Sequence, residues 1–243
     1  MQIIKLNATD STNLYLKDLM NTESLEDYTV VVTEKQVSGR GQMGTRWESK
    51  PYKNLTFSIL RKIDSEKVTN PFILNICVSL AVYTLLSKLH LPDLKVKWPN
   101  DILSGNFKIC GILIENIFSG NRMLASVIGI GLNVNQTTFN NLPNVSSLKS
   151  LTGKTFNLDQ LLTEFQSVLK QIFVELDEKG AVEMQKKYEN VLFRKDKPST
   201  FKDKEGNLFM GFIQGVSNEG RLVVTLEDDI KKEFDLKAIS LLY

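Results

Sequence analysis

Two neighbouring apolar runs in the middle of the chain constrain its fold most strongly. They read KICGILIENIF (residues 108–118) and RMLASVIGIGLNVN (residues 122–135), and the short segment SGN joins them. Runs rich in β-branched residues that flank a glycine-containing turn predict a β-hairpin. The fold must therefore accommodate two long, adjacent strands.

Helical and extended patterns alternate around this hairpin. Apolar residues recur at helical spacing over residues 71–89 and 158–176, and a turn near residue 11 leads into another helix. We therefore predict an α+β fold in which helices cover a mixed sheet. Further strands are predicted at residues 2–6, 28–34, 55–60 and 94–98.

The pattern changes near the charged, proline-containing segment FRKDKPSTF, residues 193–201. After it, short apolar segments alternate with turns such as SNEG, which is typical of a small β-barrel. We therefore predict a larger domain of residues 1–195 and a small C-terminal β-barrel of residues 196–243.

The composition excludes several classes of protein. A formal net charge of +2 argues against a general nucleic-acid-binding protein. The first residues carry no signal-peptide pattern, and no apolar run approaches the roughly 20 residues that cross a membrane, so we expect a cytoplasmic protein. Cys77 and Cys110 lie in apolar segments and His90 is the one histidine, so we expect two buried thiols and no histidine-rich metal site.

The segment GRGQMGTRW, residues 39–47, contains the pattern G-x-G-x-x-G. In dinucleotide-binding proteins this pattern lies between a strand and a helix. Here a strand-like run precedes it, but Pro51 and another strand-like run follow, so no helix opens at Gly44. We expect an ordered loop whose backbone N–H groups, with Arg40 and Arg46, form a cradle for phosphate or carboxylate. A merely flexible Gly-Arg segment is the alternative.

The segment KWPND, residues 97–101, concentrates polar groups at the end of a predicted strand. The amide of Asn100 can read the edge of an adenine through paired hydrogen bonds. Asp101 can ligate Mg²⁺ or orient an attacking amine. A plain Asn-Asp turn after Pro99 is the alternative interpretation.

The predicted hairpin also carries candidate ligand-binding residues. Lys108 lies three residues before Gly111, so its ammonium can lean over a ligand that is pressed against this glycine. Glycines inside a strand, such as Gly129 and Gly131, often mark the close approach of a ligand, and Asn133 follows them.

Five motifs, in this order and spacing, resemble the catalytic domain of biotin–protein ligases: STN (11–13), GRGQMGTRW, KWPND, KICGILIE (108–115) and GIGLNVN (129–135). The resemblance runs from about residue 10 to residue 135, and the segment from residue 199 is similar to the small SH3-like barrel of that family. It implies a mixed sheet of the class II synthetase type. It also implies a two-step reaction, in which biotin and ATP form biotinyl-5′-adenylate and a lysine of a biotin carboxyl carrier domain then displaces AMP.

The resemblance implies roles for individual residues. Lys108 would bind the biotin carboxylate and stabilise charge at the α-phosphate, Arg40 would hold carboxylate and phosphate oxygens, and Asp101 would serve Mg²⁺ or the acceptor amine. The implied biotin-binding residues are Ser11, Thr12, Asn13, Gln36, Gly39, Arg40, Gly41, Lys108, Gly111 and Gly131. The implied ATP- and adenylate-binding residues are Arg40, Gln42, Trp47, Asn100, Lys108 and Asn133.

This sequence departs from the family pattern at Gln42, where many members have an arginine associated with retention of the adenylate. The STN motif begins at Ser11, so we expect a ligase without the N-terminal DNA-binding domain of some members and without DNA as a partner. The implied substrates are ATP and biotin with Mg²⁺, and the implied partner is a carboxylase carrier domain. No membrane partner is expected, and monomer and homodimer remain open.

Three other functions compete with this interpretation. A lipoate or octanoyl transferase of related fold would carry a different glycine-rich signature with Arg-Arg and a later His-Asp, which this chain lacks. A non-catalytic biotin or adenylate sensor would not require Arg40, Asp101 and Lys108 together. An RNA-binding Gly-Arg protein would show clustered positive charge, whereas this chain is nearly neutral.

Overall fold

The computed structural model describes residues 2–64, 70–140 and 142–243. In this part of the chain, the main sheet consists of β1 (Ile3–Thr9), β2 (Val30–Gln36), β3 (Leu55–Lys62), β4 (Leu94–Lys97), β5 (Asp101–Ser104), β6 (Phe107–Ser119) and β7 (Arg122–Leu132). Its order is β1-β2-β3-β7-β6-β5-β4, with β1 and β2 parallel and all other neighbours antiparallel. The predicted mixed sheet and the hairpin of β6 and β7 are confirmed.

Helices cover both faces of this sheet. The helices are α1 (Thr12–Thr22), α2 (Phe72–Ser87), α3 (Leu148–Thr152) and α4 (Leu158–Asn190). On one face, α2 and α4 cover a large apolar core that includes Phe57, Ile128 and Phe165. On the other face, α1 covers a smaller cluster around Leu16 and Val127. Because α1 is short, part of the second face stays uncovered beyond its N-terminus.

The side-chain alternation of β7 explains why this uncovered face can hold a ligand. Successive residues of a strand point to opposite faces of the sheet. Ile128 and Ile130 therefore enter the core beneath α2 and α4, whereas Gly129 and Gly131 leave the other face nearly flat. The sequence IGIG (residues 128–131) thus encodes a packed side and a flat side in one strand.

Two elements differ from the sequence prediction. Helix α4 was expected to end near residue 176, but it continues to Asn190 across a break at Gly180, where φ is +79°. Buried Met184 and Tyr188, four residues apart, hold the last part against the core. Asp101 was expected in a turn, but it is the first residue of the four-residue strand β5. A strand this short carries too little pattern to be recognised.

The C-terminal part forms a five-stranded antiparallel sheet, which matches the predicted SH3-like segment. Its strands are β8 (Pro198–Asp203), β9 (Leu208–Val216), β10 (Leu222–Thr225), β11 (Lys231–Phe234) and β12 (Ile239–Leu242), in the order β11-β10-β9-β8-β12. Several hydrogen bonds tie it to the main sheet and α4. Trp98 Nε1 donates to Gly220 O at 2.9 Å, and Glu189 Oε1 accepts from the backbone N–H of Val216 at 3.0 Å. The domain boundary at residues 195 and 196 stays a prediction.

Both cysteines are buried and free, as predicted, and burial raises the pKa of the Cys77 thiol to about 12. His90 is exposed just after α2, which agrees with a surface position. In the described part of the chain, no helix combines the length and apolar character needed to cross a membrane.

Tyr188 links α4 to the KWPND segment, because its hydroxyl donates to the carbonyl of Pro99 at 2.9 Å in a fully buried position. We expect Tyr188→Phe to lower the free energy of unfolding by about 1 kcal/mol, since a buried carbonyl loses its partner. Urea denaturation with an unchanged m-value measures this. Tyr83→Phe is the control, because the Tyr83 hydroxyl has no hydrogen bond to another described residue. Equal stability of both variants would contradict the prediction.

Candidate functional site

A cavity of about 310 Å³ opens beside the N-terminus of α1, on the flat face of the main sheet. It collects most of the residues that the sequence predicted for the site. The predicted residues that line it are Ser11, Thr12, Asn13, Gln36, Arg40, Gly41, Gln42, Trp47, Asn100, Asp101, Lys108, Gly111 and Gly131. Motifs that lie far apart in the sequence therefore meet at one place.

A single row of paired residues forms the floor of the cavity. Thr56 of β3 pairs with Gly131 of β7, Gly131 with Gly111 of β6, Gly111 with Asp101 of β5, and Asp101 with Lys97 of β4. Paired residues project from the same face of a sheet, and neighbouring strands lie about 4.8 Å apart. The row therefore spans roughly 19 Å, from an uncharged end at Thr56 to a charged end at Lys97.

A β-bulge turns Lys108 toward this floor. In a regular strand, residues three positions apart point to opposite faces, so Lys108 and Gly111 would be separated by the sheet. In β6, however, Ile102 pairs with Cys110 and Leu103 with Lys108, so Ile109 is the extra residue of a bulge. A Cβ atom on Gly111 would lie 3.3 Å from Lys108 Cε, which places the lysine over the glycine as the sequence predicted.

The charged end of the cavity contains an ion pair. Lys108 Nζ lies 2.6 Å from Asp101 Oδ1, and both side chains are partly exposed. Lys97 lies beside them, and burial lowers its pKa; Asp101 opposes this effect and Lys108 adds to it. Asn100 is buried and donates through Nδ2 to the carbonyl of Ile112. Among the described residues that line the cavity, Asp101 supplies the one carboxylate.

The opposite end, at the start of α1, contains neutral polar groups. The backbone N–H of Thr12 donates to Gln36 Oε1 at 2.9 Å, and Thr12 Oγ1 lies 2.7 Å from Ser58 Oγ. Ser58 Oγ also contacts Asn13 Oδ1 at 2.5 Å. A Cβ atom on Gly129 would lie 2.4 Å from Asn13 Oδ1, so only glycine at this position admits the asparagine.

The glycine loop folds back on itself. Arg40 pairs with Arg46 as an isolated β-bridge, and a short 3₁₀ helix, Gln42–Gly44, forms the tip. The backbone N–H of Gly41 donates to Thr45 O at 2.7 Å. The Arg40 side chain is exposed at the cavity and makes no hydrogen bond or ion pair with another described residue. Its guanidinium is therefore placed to receive an anion.

Trp47, at the end of this loop, lies directly on the glycine floor. A Cβ atom on Gly131 would come within 2.3 Å of the indole, and one on Gly111 within 3.1 Å. Lys108 Nζ lies 5.8 Å from the centre of the indole ring. Trp47 Nε1 is buried and has no hydrogen-bond partner among the described residues. The two glycines thus provide the space that an aromatic ring occupies above the sheet.

Two predicted residues do not line the cavity. Gly39 is buried beneath the loop, where a Cβ atom would collide with the carbonyl of Trp47 and with Gln36 Nε2. Asn133 is buried beyond the end of β7, and its Nδ2 donates to the carbonyl of Ser146 at 3.1 Å. Their assigned roles in binding biotin and ATP stay predictions.

Other lining residues were not predicted as site residues. Lys97 and Trp98 lie inside the KWPND motif, and strand pairing with Asp101 is what brings Lys97 to the cavity. Thr56 could have been found from its pairing with Gly131, once the register was known. Lys237 comes from the C-terminal sheet, and nothing in the surrounding sequence distinguishes it from other lysines.

Residues 6–133 match the model of the biotin/lipoate A/B protein ligase family. The chain belongs to this family. Every residue that lines the cavity, except Lys237, lies inside the segment that matches the biotin/lipoate ligase family. The cavity is therefore built almost entirely from the segment that matches the family model.

Individual relatives within the biotin/lipoate ligase family extend the similarity. The chain is 26% identical over 235 residues to the bifunctional ligase/repressor BirA of Bacillus subtilis (strain 168), covering 95% of this chain and 71% of that protein. It is 32% identical over 131 residues to the biotin–[acetyl-CoA-carboxylase] ligase of Paracoccus denitrificans, covering 53% of each. The structure of biotin protein ligase from Aquifex aeolicus in complex with biotin and ATP has a TM-score of 0.82 at 25% identity, covering 99% and 98% of the two chains.

Proposed function

We propose that this protein is an ATP-dependent biotin–protein ligase. It activates biotin as biotinyl-5′-adenylate and transfers the biotinyl group to a lysine of a biotin carboxyl carrier domain. The observation that carries this proposal is the division of one cavity into a neutral polar end at α1 and a charged end at Lys97, Asp101 and Lys108. Biotin has the same division, with a neutral ureido group at one end and a carboxylate at the other.

The neutral end suits the ureido head of biotin. A ureido group offers one carbonyl acceptor and two N–H donors and carries no charge. The side chains of Ser11, Thr12 and Gln36 provide uncharged donors and acceptors there. Trp47 lies on Gly111 and Gly131, so the valeryl chain would pass along the indole toward Lys108.

Adenylate formation would take place at the charged end. A carboxylate oxygen of biotin attacks the α-phosphorus of ATP, a new C–O–P linkage forms, and pyrophosphate leaves with the electrons of the broken P–O bond. Two anions must approach each other, so fixed positive groups lower the barrier most where charge develops. Lys108 and Arg40 would provide them, and Asn100 would help to position the adenine.

Asp101 would serve the nucleotide and the acceptor. Mg²⁺ is commonly held by one or two carboxylates together with substrate phosphates, and a single lining carboxylate fits a Mg²⁺ ion that enters with ATP. Bound there, Mg²⁺ would offset the charge of the phosphates. In the second step the carrier lysine attacks the carbonyl carbon of the adenylate and AMP leaves. Asp101 would orient the attacking amine.

The decisive test is transfer of labelled biotin to a purified biotin carboxyl carrier domain with ATP and Mg²⁺, beside a reaction with lipoate and a lipoyl carrier domain. We expect ATP-dependent labelling of one carrier lysine with biotin and none with lipoate. Binding of biotin without transfer would favour a sensor, and transfer of lipoate would favour the related transferase. We further propose a cytoplasmic enzyme, in keeping with two free, buried thiols.

Gln42 lines the cavity without contributing charge, so it holds the anionic adenylate less firmly than an arginine would. We expect wild-type protein to release some free biotinyl-adenylate and to label bystander lysines. Gln42→Arg should reduce this labelling about 10- to 100-fold, since a charged hydrogen bond contributes about 1.5–3 kcal/mol. Labelling of added serum albumin measures the leak, with Gln160→Arg on the exposed face of α4 as a control. Equal leakage from wild type and Gln42→Arg would refute the prediction.

A further inference from the structure

We propose that Glu115 is a positioning residue that fixes which groups at the neutral end of the cavity donate hydrogen bonds and which accept them. This inference rests on the proposed binding of the biotin ureido group there. Glu115 does not line the cavity and acts through a chain of three side chains, Asn13, Ser58 and Thr12.

The first link joins Glu115 to Asn13. Asn13 Nδ2 donates to Glu115 Oε2 at 2.7 Å and lies 3.4 Å from the carbonyl of Leu113. The other carboxylate oxygen, Oε1, accepts from Lys17 Nζ. An ionised carboxylate only accepts hydrogen bonds, so the amide of Asn13 must turn its NH₂ group toward Glu115.

Glu115 is held in its ionised form. Burial raises the pKa of its carboxyl, but the hydrogen bonds from Lys17 and Asn13 and the charges of Lys17 and Arg40 outweigh burial, so the net direction is down. The carboxylate is therefore an acceptor at neutral pH, and its negative charge sets the orientation of the Asn13 amide.

The orientation of the Asn13 amide then fixes which way the hydroxyl protons of Ser58 and Thr12 point. Asn13 Oδ1 faces Ser58 Oγ at 2.5 Å, so the single proton of Ser58 is directed to Asn13. The 2.7 Å contact between Ser58 Oγ and Thr12 Oγ1 then needs the proton of Thr12. This contact is shorter than the 3.2 Å between Thr12 Oγ1 and Gln36 Oε1. Thr12 Oγ1 consequently offers lone pairs to the cavity.

Gln36 completes the pattern. The backbone N–H of Thr12 can only donate, so the amide of Gln36 turns Oε1 toward it at 2.9 Å and keeps Nε2 as a donor. The cavity thus presents an acceptor at Thr12 and a donor at Gln36. A ureido group, with N–H beside C=O, matches this order.

Glu115→Gln should reverse the direction of the hydrogen bonds that link residue 115 to Asn13, Ser58 and Thr12. Lys17 requires an acceptor, so the new glutamine would turn Oε1 toward Lys17 and its NH₂ group toward Asn13. Asn13 would flip to present Oδ1 to the glutamine, Ser58 would accept from Asn13 and donate to Thr12, and the Thr12 proton would turn to Gln36 Oε1 or into the cavity. Because one lone pair of Thr12 Oγ1 would then be taken up by Ser58, Thr12 would be a poorer acceptor for the ureido N–H. The double variant Lys17→Met/Glu115→Gln frees the glutamine to present Oε1 to Asn13 and should restore the original order.

Calorimetric titration with biotin tests this on the 243-residue protein. We expect E115Q to raise the Kd for biotin about 10- to 100-fold, as for a buried polar group without a partner. The double variant should recover most of this loss, and the adenylation rate at saturating biotin should be unchanged in both. Glu175→Gln is the matched control, because the Glu175 carboxylate also binds two lysines, Lys179 and Lys187, away from the cavity.

Each outcome decides between explanations. A wild type that does not bind biotin would refute the proposed function and leave nothing to position. A wild type that binds biotin, with E115Q within about twofold of it, would overturn the role of Glu115. Loss of binding in E115Q without recovery in the double variant would also overturn the proposal. Removal of Lys17 would restore binding if the hydrogen bonds had reversed, but it would not repair a general packing defect.

Discussion

Lys108→Ala should lower the rate of biotinyl-adenylate formation by about 10²–10³-fold, as the removal of one preorganised donor does in other active sites. The lysine is the positive group of the cavity floor that pairs with Asp101 at 2.6 Å. Without it, two reacting anions would meet beside the Asp101 carboxylate with one fixed positive group fewer. The fold should be retained, since the side chain is partly exposed and packs over Trp47 and Gly111, outside the core beneath α2 and α4.

Single-turnover formation of adenylate, measured with excess enzyme and saturating ATP, isolates this step. Binding of biotin, followed separately, should change much less than the rate, because the neutral end of the cavity is intact. Lys35→Ala, which removes an exposed lysine of β2, is the control and should keep the wild-type rate. A Lys108→Ala rate above about a tenth of wild type would exclude the role proposed for Lys108.

Gly131→Ala should disrupt the docking of Trp47 on the floor of the cavity. The added Cβ atom would lie 2.3 Å from the indole, so the ring or the strand would have to move. Overpacking of this kind typically costs about 1–3 kcal/mol. We therefore expect the free energy of unfolding to fall by about this amount and the Kd for biotin to rise about tenfold or more, because the same methyl group projects into the cavity.

A double-mutant cycle with Trp47→Ala separates the effect of Gly131→Ala on stability from its effect on biotin binding. In the Trp47→Ala background the alanine at position 131 has no ring to displace, so its effect on stability in urea should nearly vanish. Its effect on biotin binding should persist. If Gly131→Ala destabilised both backgrounds equally, the close contact between Gly131 and Trp47 would not be the cause.

The elements that could be predicted from the sequence were those with long, regular patterns. The hairpin of β6 and β7 and the helix α2 are long, mostly apolar segments bounded by turns, so their type and approximate bounds could be predicted from the local sequence. The glycine loop was predicted by exclusion, since Pro51 forbids the helix that a dinucleotide fold requires. Most cavity residues were predicted from the resemblance to biotin–protein ligases, which rests on the five motifs quoted above.

The remaining features depend on contacts between distant parts of the chain. Lys97 reaches the cavity only because β4 pairs with β5, which is too short to leave a pattern. Lys237 reaches it because the C-terminal sheet is joined to Trp98 through Gly220. The chain from Glu115 to Thr12 links residues about a hundred positions apart, such as Asn13 and Glu115. Contacts between residues so far apart in the sequence cannot be predicted from the local spacing of apolar residues.

The bulge at Ile109 gives β6 a tolerance to length change that β7 lacks. Loss of one codon at the bulge would convert it into regular strand, and Lys108 would still project on the same side as Gly111, now two positions away. Loss of one codon between Gly129 and Gly131 would instead exchange the two sides of β7 beyond that point and bury glycine where isoleucine packs. In the evolution of this site, insertions and deletions should therefore accumulate at one strand of the hairpin and be eliminated at the other.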